Sequence, residues 1–229
     1  MQGLLLVNKP LKWTSFDVVA KVRGVVSAHA RANGLPRVKV GHTGTLDPMA
    51  TGLLVLAIGS YTKKISSLTK QDKTYEATIT LGSTSPTDDV EGELTKYNDL
   101  VPTQQEVEKA LLTFVGKISQ VPPNFSAIKV GGIRSYNAAR KGKTLKLEPR
   151  EVNIYSINDI AYAYPNVSCV LHVGSGTYIR SIARDLGQKL GTGAYLSALK
   201  RTSVGGYSLK NAVDPLNISF ETVAKNILA

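Results

Sequence analysis

Gly41-His42-Thr43-Gly44-Thr45-Leu46-Asp47-Pro48-Met49-Ala50-Thr51-Gly52 places one carboxylate in a loop whose composition holds it still. Glycines at 41, 44 and 52 permit turns and close backbone approach that a side chain would block. Pro48 restricts Asp47 to extended backbone angles, so its side chain has few directions to point. The aliphatic run Leu53 to Ile58 follows at once and suits a short, buried strand, which predicts that the loop sits at the strand's entrance. A loop anchored in this way can position chemistry. An Asp-Pro pair taken alone would read as the start of a turn, so the wider pattern must decide the role of Asp47.

Composition narrows the partners. With 229 residues, of which 42% are hydrophobic, the chain can bury a core as one elongated domain or two small ones. Lysines and arginines number 28 against 17 acids, a formal charge of +11, which implies an anionic partner, nucleic acid being the commonest. No apolar run approaches the roughly 20 residues that span a bilayer, and Leu4 to Val7 is too short for a signal-peptide core. One cysteine cannot form an internal disulfide, and the expectation is a cytoplasmic protein with no membrane partner. Cys169 alternates with Val167, Leu171 and Val173, which reads as a buried packing position. Three scattered histidines give no zinc spacing, and Asn137 stands where a phosphate loop ending Gly142-Lys143-Thr144 needs its first glycine. No metal and no cofactor is expected.

Periodicity supplies the elements. Met1 to Val7 reads as a first strand, and Ser15 can cap a helix with Val19, Val22 and Val26 on one face. Thr74 to Leu81 alternates, with Tyr75, Ala77, Ile79 and Leu81 inward. Thr103 and Glu106 form a capping box for a helix using Val107, Leu111 and Phe114 and stopping at Gly116. From Val121 to Pro149 the chain is proline-bounded and basic, with Lys129, Arg134, Arg140, Lys141, Lys143 and Lys146 interleaved with Phe125 and Tyr136, which suits either a nucleic-acid contact or a solvated excursion. Ile179, Ile182, Leu186 and Leu190 form a helical stripe ending at Gly191.

The opening loop resembles the catalytic loop of the TruB family of tRNA pseudouridine synthases. Six further landmarks agree in order: Lys9-Pro10 with Thr14-Ser15; Thr62-Lys63; Lys73-Thr74-Tyr75; Ser126-Ala127-Ile128-Lys129 with Tyr136 and Ala139-Arg140; Gly176-Thr177-Tyr178-Ile179-Arg180; and Leu199-Lys200-Arg201. The resemblance runs from about residue 3 to 207. It implies an α+β pseudouridine synthase fold, a mixed, largely antiparallel sheet flanked by helices. It also implies isomerisation of uridine to pseudouridine at position 55, in the T loop of tRNA, with the base flipped out of its stack. Asp47 is then the nucleophile, Tyr75 stacks on the target base and moves a proton, and Arg180 pairs with Asp47. His42 helps hold the flipped base, Leu199 packs against it, and Asp89 orders the site. Lys63, Lys129 and Arg140 become phosphate contacts, the basic stretch at about 121–150 being an insertion that clasps the T arm.

Isomerisation breaks the bond from ribose to the base nitrogen and rejoins the ring through carbon, with no electron or group entering from outside. The reaction needs an ionised carboxylate beside the nucleoside, to attack sugar or base or to draw off the 2′ proton. The chain departs from the family pattern at Lys12, where glycine is usual, and at Ser85-Pro86, where Thr-Asp is usual, so local turns there are expected to differ. Relatives commonly continue into a PUA-type RNA-binding domain, whereas this chain ends at Ala229. The expectation is a single catalytic domain over residues 1–229, monomeric, with that domain absent. Two alternatives remain open: a guide-dependent synthase needing partner proteins, and a non-catalytic RNA-binding or tRNA-folding module.

Overall fold

The aliphatic run Leu53 to Ile58 is a strand buried along its whole length. It lies in the first of two compact units that form the computed structural model, which describes residues 1–143 and 145–228. Thr144 of the Gly142-Lys143-Thr144 triplet lies outside the described residues. Unit 1 is Met1–Tyr75 with Leu199–Ala229, and unit 2 is Glu76–Ala198.

In chain order, unit 1 opens with β1 (Gly3–Lys9), α1 (Ser15–Ala32), β2 (Val40–His42), β3 (Ala50–Ile58) and the short α2 (Ile65–Leu68). β4 (Lys73–Leu81) leads into unit 2, which holds β5 (Ser83–Thr84), β6 (Thr95–Lys96), α3 (Gln104–Leu112), β7 (Gly116–Gln120), β8 (Lys129–Val130), β9 (Ile133–Arg134), α4 (Ser135–Ala139), β10 (Arg150–Ala163), β11 (Asn166–Val173) and α5 (Ile179–Leu190). β12 (Ala194–Val204) brings the chain back to unit 1 and to β13 (Tyr207–Ser208) and α6 (Phe220–Asn226).

Within unit 1, β1 runs antiparallel to β3 from Gly3 opposite Ile58 to Lys9 opposite Gly52, and β2 pairs with the far end of β3. The second half of β12 lies parallel to β3, with Leu199 opposite Ala50 and Arg201 opposite Gly52. One face of this sheet, carrying Leu5, Val7, Leu54, Leu56 and Ile58, packs on Val18, Val19, Val22 and Val26 of α1 and Val223 of α6. Its other face, carrying Leu4, Leu6, Leu53 and Val55, packs on Val204 and on Tyr61, Ile65 and Leu68. Burial on both faces is why β1 and β3 read as continuous aliphatic runs rather than as alternation.

Within unit 2, β4 neighbours β11, which pairs antiparallel with β10, which pairs antiparallel with β7. The alternation of β4 is as expected, with Tyr75, Ala77, Ile79 and Leu81 buried. Cys169 is buried on β11 beside Val167, Leu171 and Val173, and burial pushes its thiol up to about 12. Both capping expectations on the unit's longer helices hold: Thr103 and Glu106 form a reciprocal box on α3, and Gly191 ends α5 in the left-handed conformation. α3 is shorter than expected, because its last turn tightens at Thr113 and Phe114 before Gly116 starts β7 at a φ of 107°. In the basic stretch, β8 and β9 form a hairpin whose turn, Gly131 and Gly132, has positive φ at both residues.

The first helix corrects one expectation. Thr14, not Ser15, is the N-cap of α1, since Asp17 stands three residues after Thr14 and closes the box with it. The Ser15 hydroxyl is engaged elsewhere, donating to Leu46 O at 3.0 Å and accepting from Leu46 N at 2.8 Å. Lys12 adopts a φ of 69°, a left-handed geometry that favours glycine, and its amide donates to Pro48 O at 2.8 Å.

Candidate active site

Asp47 is half-buried just before β3, ahead of a turn that Ala50 N closes on Asp47 O at 3.0 Å. Pro48, the second residue of that turn, brings its φ already set. Both neighbours of Asp47 are tied down. Leu46 is held through its N–H and C=O by Ser15, and Pro48 O accepts from Lys12 N and, at 3.4 Å, from Lys9 Nζ. Lys9 is fully buried and also donates to Pro10 O and Trp13 O, at 2.9 and 2.5 Å. A buried ammonium that donates to several carbonyls replaces much of its lost hydration. The carboxylate is thus carried on a backbone fixed on either side of it, which is what a positioned nucleophile needs.

Arg201 completes the clamp from β12. It is 2% exposed, and its guanidinium donates to Leu53 O at 2.8 Å, Gly44 O at 3.0 Å and Thr45 O at 3.3 Å. Gly52, opposite it in the ladder, has a φ of 100°, and a Cβ there would stand 2.3 Å from Arg201 O. A Cβ at Gly41 would meet only the tip of the Ile65 side chain, Cδ1 at 2.8 Å, which can shift aside, and one at Gly44 would make only ordinary contacts. The Lys73 ammonium donates to Thr69 O at 2.8 Å and to Gln71 O, and burial together with the Arg201 charge pushes its pKa down to about 8.

His42, on β2, loses basicity for the same two reasons, burial first and the Arg201 charge second, so it is neutral at pH 7. Its Nδ1 is buried without a hydrogen-bond partner among the described residues. Leu199 is half-buried opposite Ala50, Tyr75 is buried on β4, and Lys63 is exposed on the short 3-10 turn Gly59–Lys64.

Unit 2 brings Arg180 and Asp89 together. Arg180, 5% exposed at the start of α5, places Nε 3.5 Å from Asp89 Oδ2 and donates to Thr87 O and Phe125 O at 3.1 and 2.9 Å. Asp89 in turn accepts from Thr87 Oγ1 at 2.6 Å and Glu91 N at 2.9 Å, which fixes the 85–91 loop. One turn along α5, Arg184 bridges Asp88 and Asp185 at 3.0 and 2.9 Å. Burial raises both of those carboxyl pKa values and the Arg184 charge opposes it. Lys129 and Arg140 are exposed, Arg140 with its guanidinium 5.7 Å from the Tyr136 ring centre.

The anchoring functions of Lys9, Ser15 and Arg201, and the Arg180–Asp89 ion pair, are absent from the sequence reading. Lys9, Ser15 and Arg201 stand in recognisable motifs, but no spacing rule links them to the loop they hold. Burial of charged side chains is invisible until the strands are paired.

Residues 32–179 match the family model described as TruB family pseudouridylate synthase (N terminal domain), and residues 180–225 match tRNA pseudouridylate synthase B C-terminal domain. The chain is 41% identical over 216 residues to tRNA pseudouridine synthase B of Flavobacterium johnsoniae, covering 92% of each chain. It is 44% identical over 213 residues to the protein of the same name from Bacteroides fragilis, covering 93% of this chain and 90% of that one. Among solved structures it is similar to a Cbf5-Nop10-Gar1 complex, with a TM-score of 0.69 at 27% identity, over 93% of this chain and 52% of that one. It is also similar to an H/ACA RNP bound to a substrate RNA containing 2′-deoxyuridine, with a TM-score of 0.65 at 25% identity, over 93% of this chain and 50% of that one. The chain therefore spans about half the length of those solved chains.

Proposed function

This chain belongs to the TruB family of pseudouridylate synthases, and from that premise we propose that Asp47 is the nucleophile with which it converts the T-loop uridine at position 55. The protein isomerises uridine to pseudouridine in tRNA. The guide-dependent reading is not favoured, because the relatives at 41–44% identity are tRNA pseudouridine synthases B, whereas the H/ACA proteins stand at 25–27%.

The observation that carries the assignment is the double tether on Leu46 and Pro48, which fixes the backbone on either side of the one acid in the 41–52 sequence. Asp47 attacks the nucleoside or draws the 2′ proton, the bond from C1′ to N1 breaks with its electron pair leaving on the uracil, and the uracil turns; C1′ then bonds to C5 as the bond to Asp47 breaks or the proton returns to C2′, and the proton on C5 is lost while N1 takes one up. Tyr75 offers the flat face for the uracil and its hydroxyl for the final proton transfer. Arg180 supplies the guanidinium of the reaction, held by Asp89 in a fixed orientation. Neutral His42, with a free buried Nδ1, can hydrogen-bond the flipped nucleotide without adding charge, and Leu199 packs against the base. Lys63, Lys129 and Arg140 contact phosphate, residues 121–150 clasping the T arm. Residues 1–229 act as one catalytic domain, monomeric and cytoplasmic, with no metal or cofactor.

Incubation with an unmodified tRNA transcript, followed by chemical mapping of pseudouridine, tests this directly beside Asp47→Asn. The parent protein is expected to modify the T-loop uridine, and the variant to lose at least about 10³-fold in rate, the order expected of a covalent nucleophile. Product at another uridine defeats the T-loop assignment, and equal product from the folded variant defeats the nucleophile.

A further inference from the structure

The positive charge is not shared between the units. Unit 1 holds 15 of the 28 lysines and arginines and 5 of the 17 acids, a formal +10, while unit 2, with 13 and 12, stands at +1. The basic stretch of residues 121–150 lies in unit 2, whose acids elsewhere in the chain bring that unit's total close to neutral. Most of the chain's net charge therefore lies in unit 1, outside the stretch to which the sequence pointed for RNA contact.

Two adjoining grooves in unit 1 gather it. One, of about 560 Å³, is lined by His29, Arg37, Lys39 and Lys63 over an apolar floor that includes Phe220. The other, of about 710 Å³, is lined by Arg23, Arg31 and Arg37 along α1. They share Ala30, Leu35 and Arg37, and no acid is among the described residues that line either of them. Backbone hydrogen bonds seat the segment that carries these cations: Leu35 N donates to Ala30 O at the end of α1, and Gly59 N donates to Lys39 O, which sets the 33–39 segment beside the Lys63 turn. His29 stacks on Phe220 with ring centres 3.4 Å apart. Arg31, Arg37, Lys39 and Lys63 are exposed, so none of this charge is committed to the fold.

We propose that this double groove, along α1 and the 33–39 segment, is a second binding surface for the sugar-phosphate backbone of the tRNA substrate, distinct from the basic hairpin region of unit 2. The inference rests on tRNA being the substrate. A string of long, exposed cations without interleaved acids fits a polyanion whose charges recur along a line, because each neutralised phosphate releases condensed counterions. It offers backbone contact rather than base readout, so it adds affinity without sequence preference.

Filter binding of an unmodified tRNA transcript across a salt series separates this surface from a diffuse field. Each phosphate contact contributes roughly 0.7–0.9 to the slope of log affinity against log salt. The triple variant R31Q/R37Q/K39Q is therefore expected to flatten the slope by about 2–3 and to weaken binding about tenfold or more near 0.15 M salt. R31K/R37K is expected to keep the parent's slope, and K70Q/K210Q/K225Q, which removes three cations of the same unit outside the grooves, is expected to change it far less. An unchanged slope in the first triple, or equal flattening in the two triples, overturns the proposal. Binding is read separately from conversion, so a parent protein that makes pseudouridine while the first triple binds like the parent refutes the groove and leaves the function standing. A parent that makes none refutes the function, whatever the slopes.

Discussion

Replacing Arg201 with methionine removes three N–H donors and a buried positive charge while keeping most of the volume. Of the three carbonyls it serves, Leu53 O lies in a fully buried strand, whereas Gly44 and Thr45 lie where water can reach them. One carbonyl stranded without a donor costs about 1–3 kcal/mol, and release of the guanidinium's desolvation penalty offsets part of that, so a net loss of about 1–2 kcal/mol is expected in urea unfolding. Catalysis suffers more. The 44–45 end of the loop loses its tie to β12, and a displacement of about 1 Å at a reacting group costs on the order of 10²-fold. Single-turnover conversion of tRNA by Arg201→Met is expected to fall by about that factor, with tRNA affinity within a few-fold of the parent. The same substitution removes the second cause of the low His42 pKa, so the imidazole should titrate closer to its ordinary 6.5 in an NMR titration. A folded variant that turns over within threefold of the parent, with His42 unmoved, would refute the clamp.

Two further outcomes follow from the same unit. Gly52→Ala forces a side chain into a φ of 100° and a Cβ to 2.3 Å from Arg201 O, so the parallel β3–β12 pairing must shift; chemical denaturation is expected to show a loss of about 3 kcal/mol or more, and a loss below about 1 kcal/mol contradicts the geometry. Lys73 carries its proton in both folded and unfolded states below about pH 8, but between about 8 and its ordinary 10.5 the unfolded chain binds a proton that the native state has shed. Stability of the parent should therefore rise with pH across that window relative to Lys73→Met, and parallel urea midpoints for the two proteins from pH 8 to 10 would show the shift to be absent.

Much of the architecture was legible because it depends on local pattern. The period-two burial of β4, the stripe and glycine stop of α5 and the Thr103–Glu106 box are all consequences of side-chain spacing along one element. Where two local signals competed, tertiary contact decided: Ser15 and Thr14 are both good caps, and the loop at Leu46 claimed the Ser15 hydroxyl. Arg180 illustrates the other limit. An arginine on an amphipathic helix face reads as solvated, yet it is buried beside Asp89, because the 85–91 loop folds back onto α5.

By itself the sequence determined the family, the candidate nucleophile and the kind of partner, since each depends on residue identity in a short, ordered stretch or on summed charge. Only the tertiary structure decided what holds Asp47 in place and where the unneutralised charge collects. Lys9, Ser15 and Arg201 reach the loop through strand pairing and helix packing, and Arg31, Arg37 and Lys63 line one continuous surface because the segment after α1 is seated against the turn after β3. Contacts between residues far apart in the chain depend on how the hydrophobic faces stack, and no spacing along a single segment encodes them.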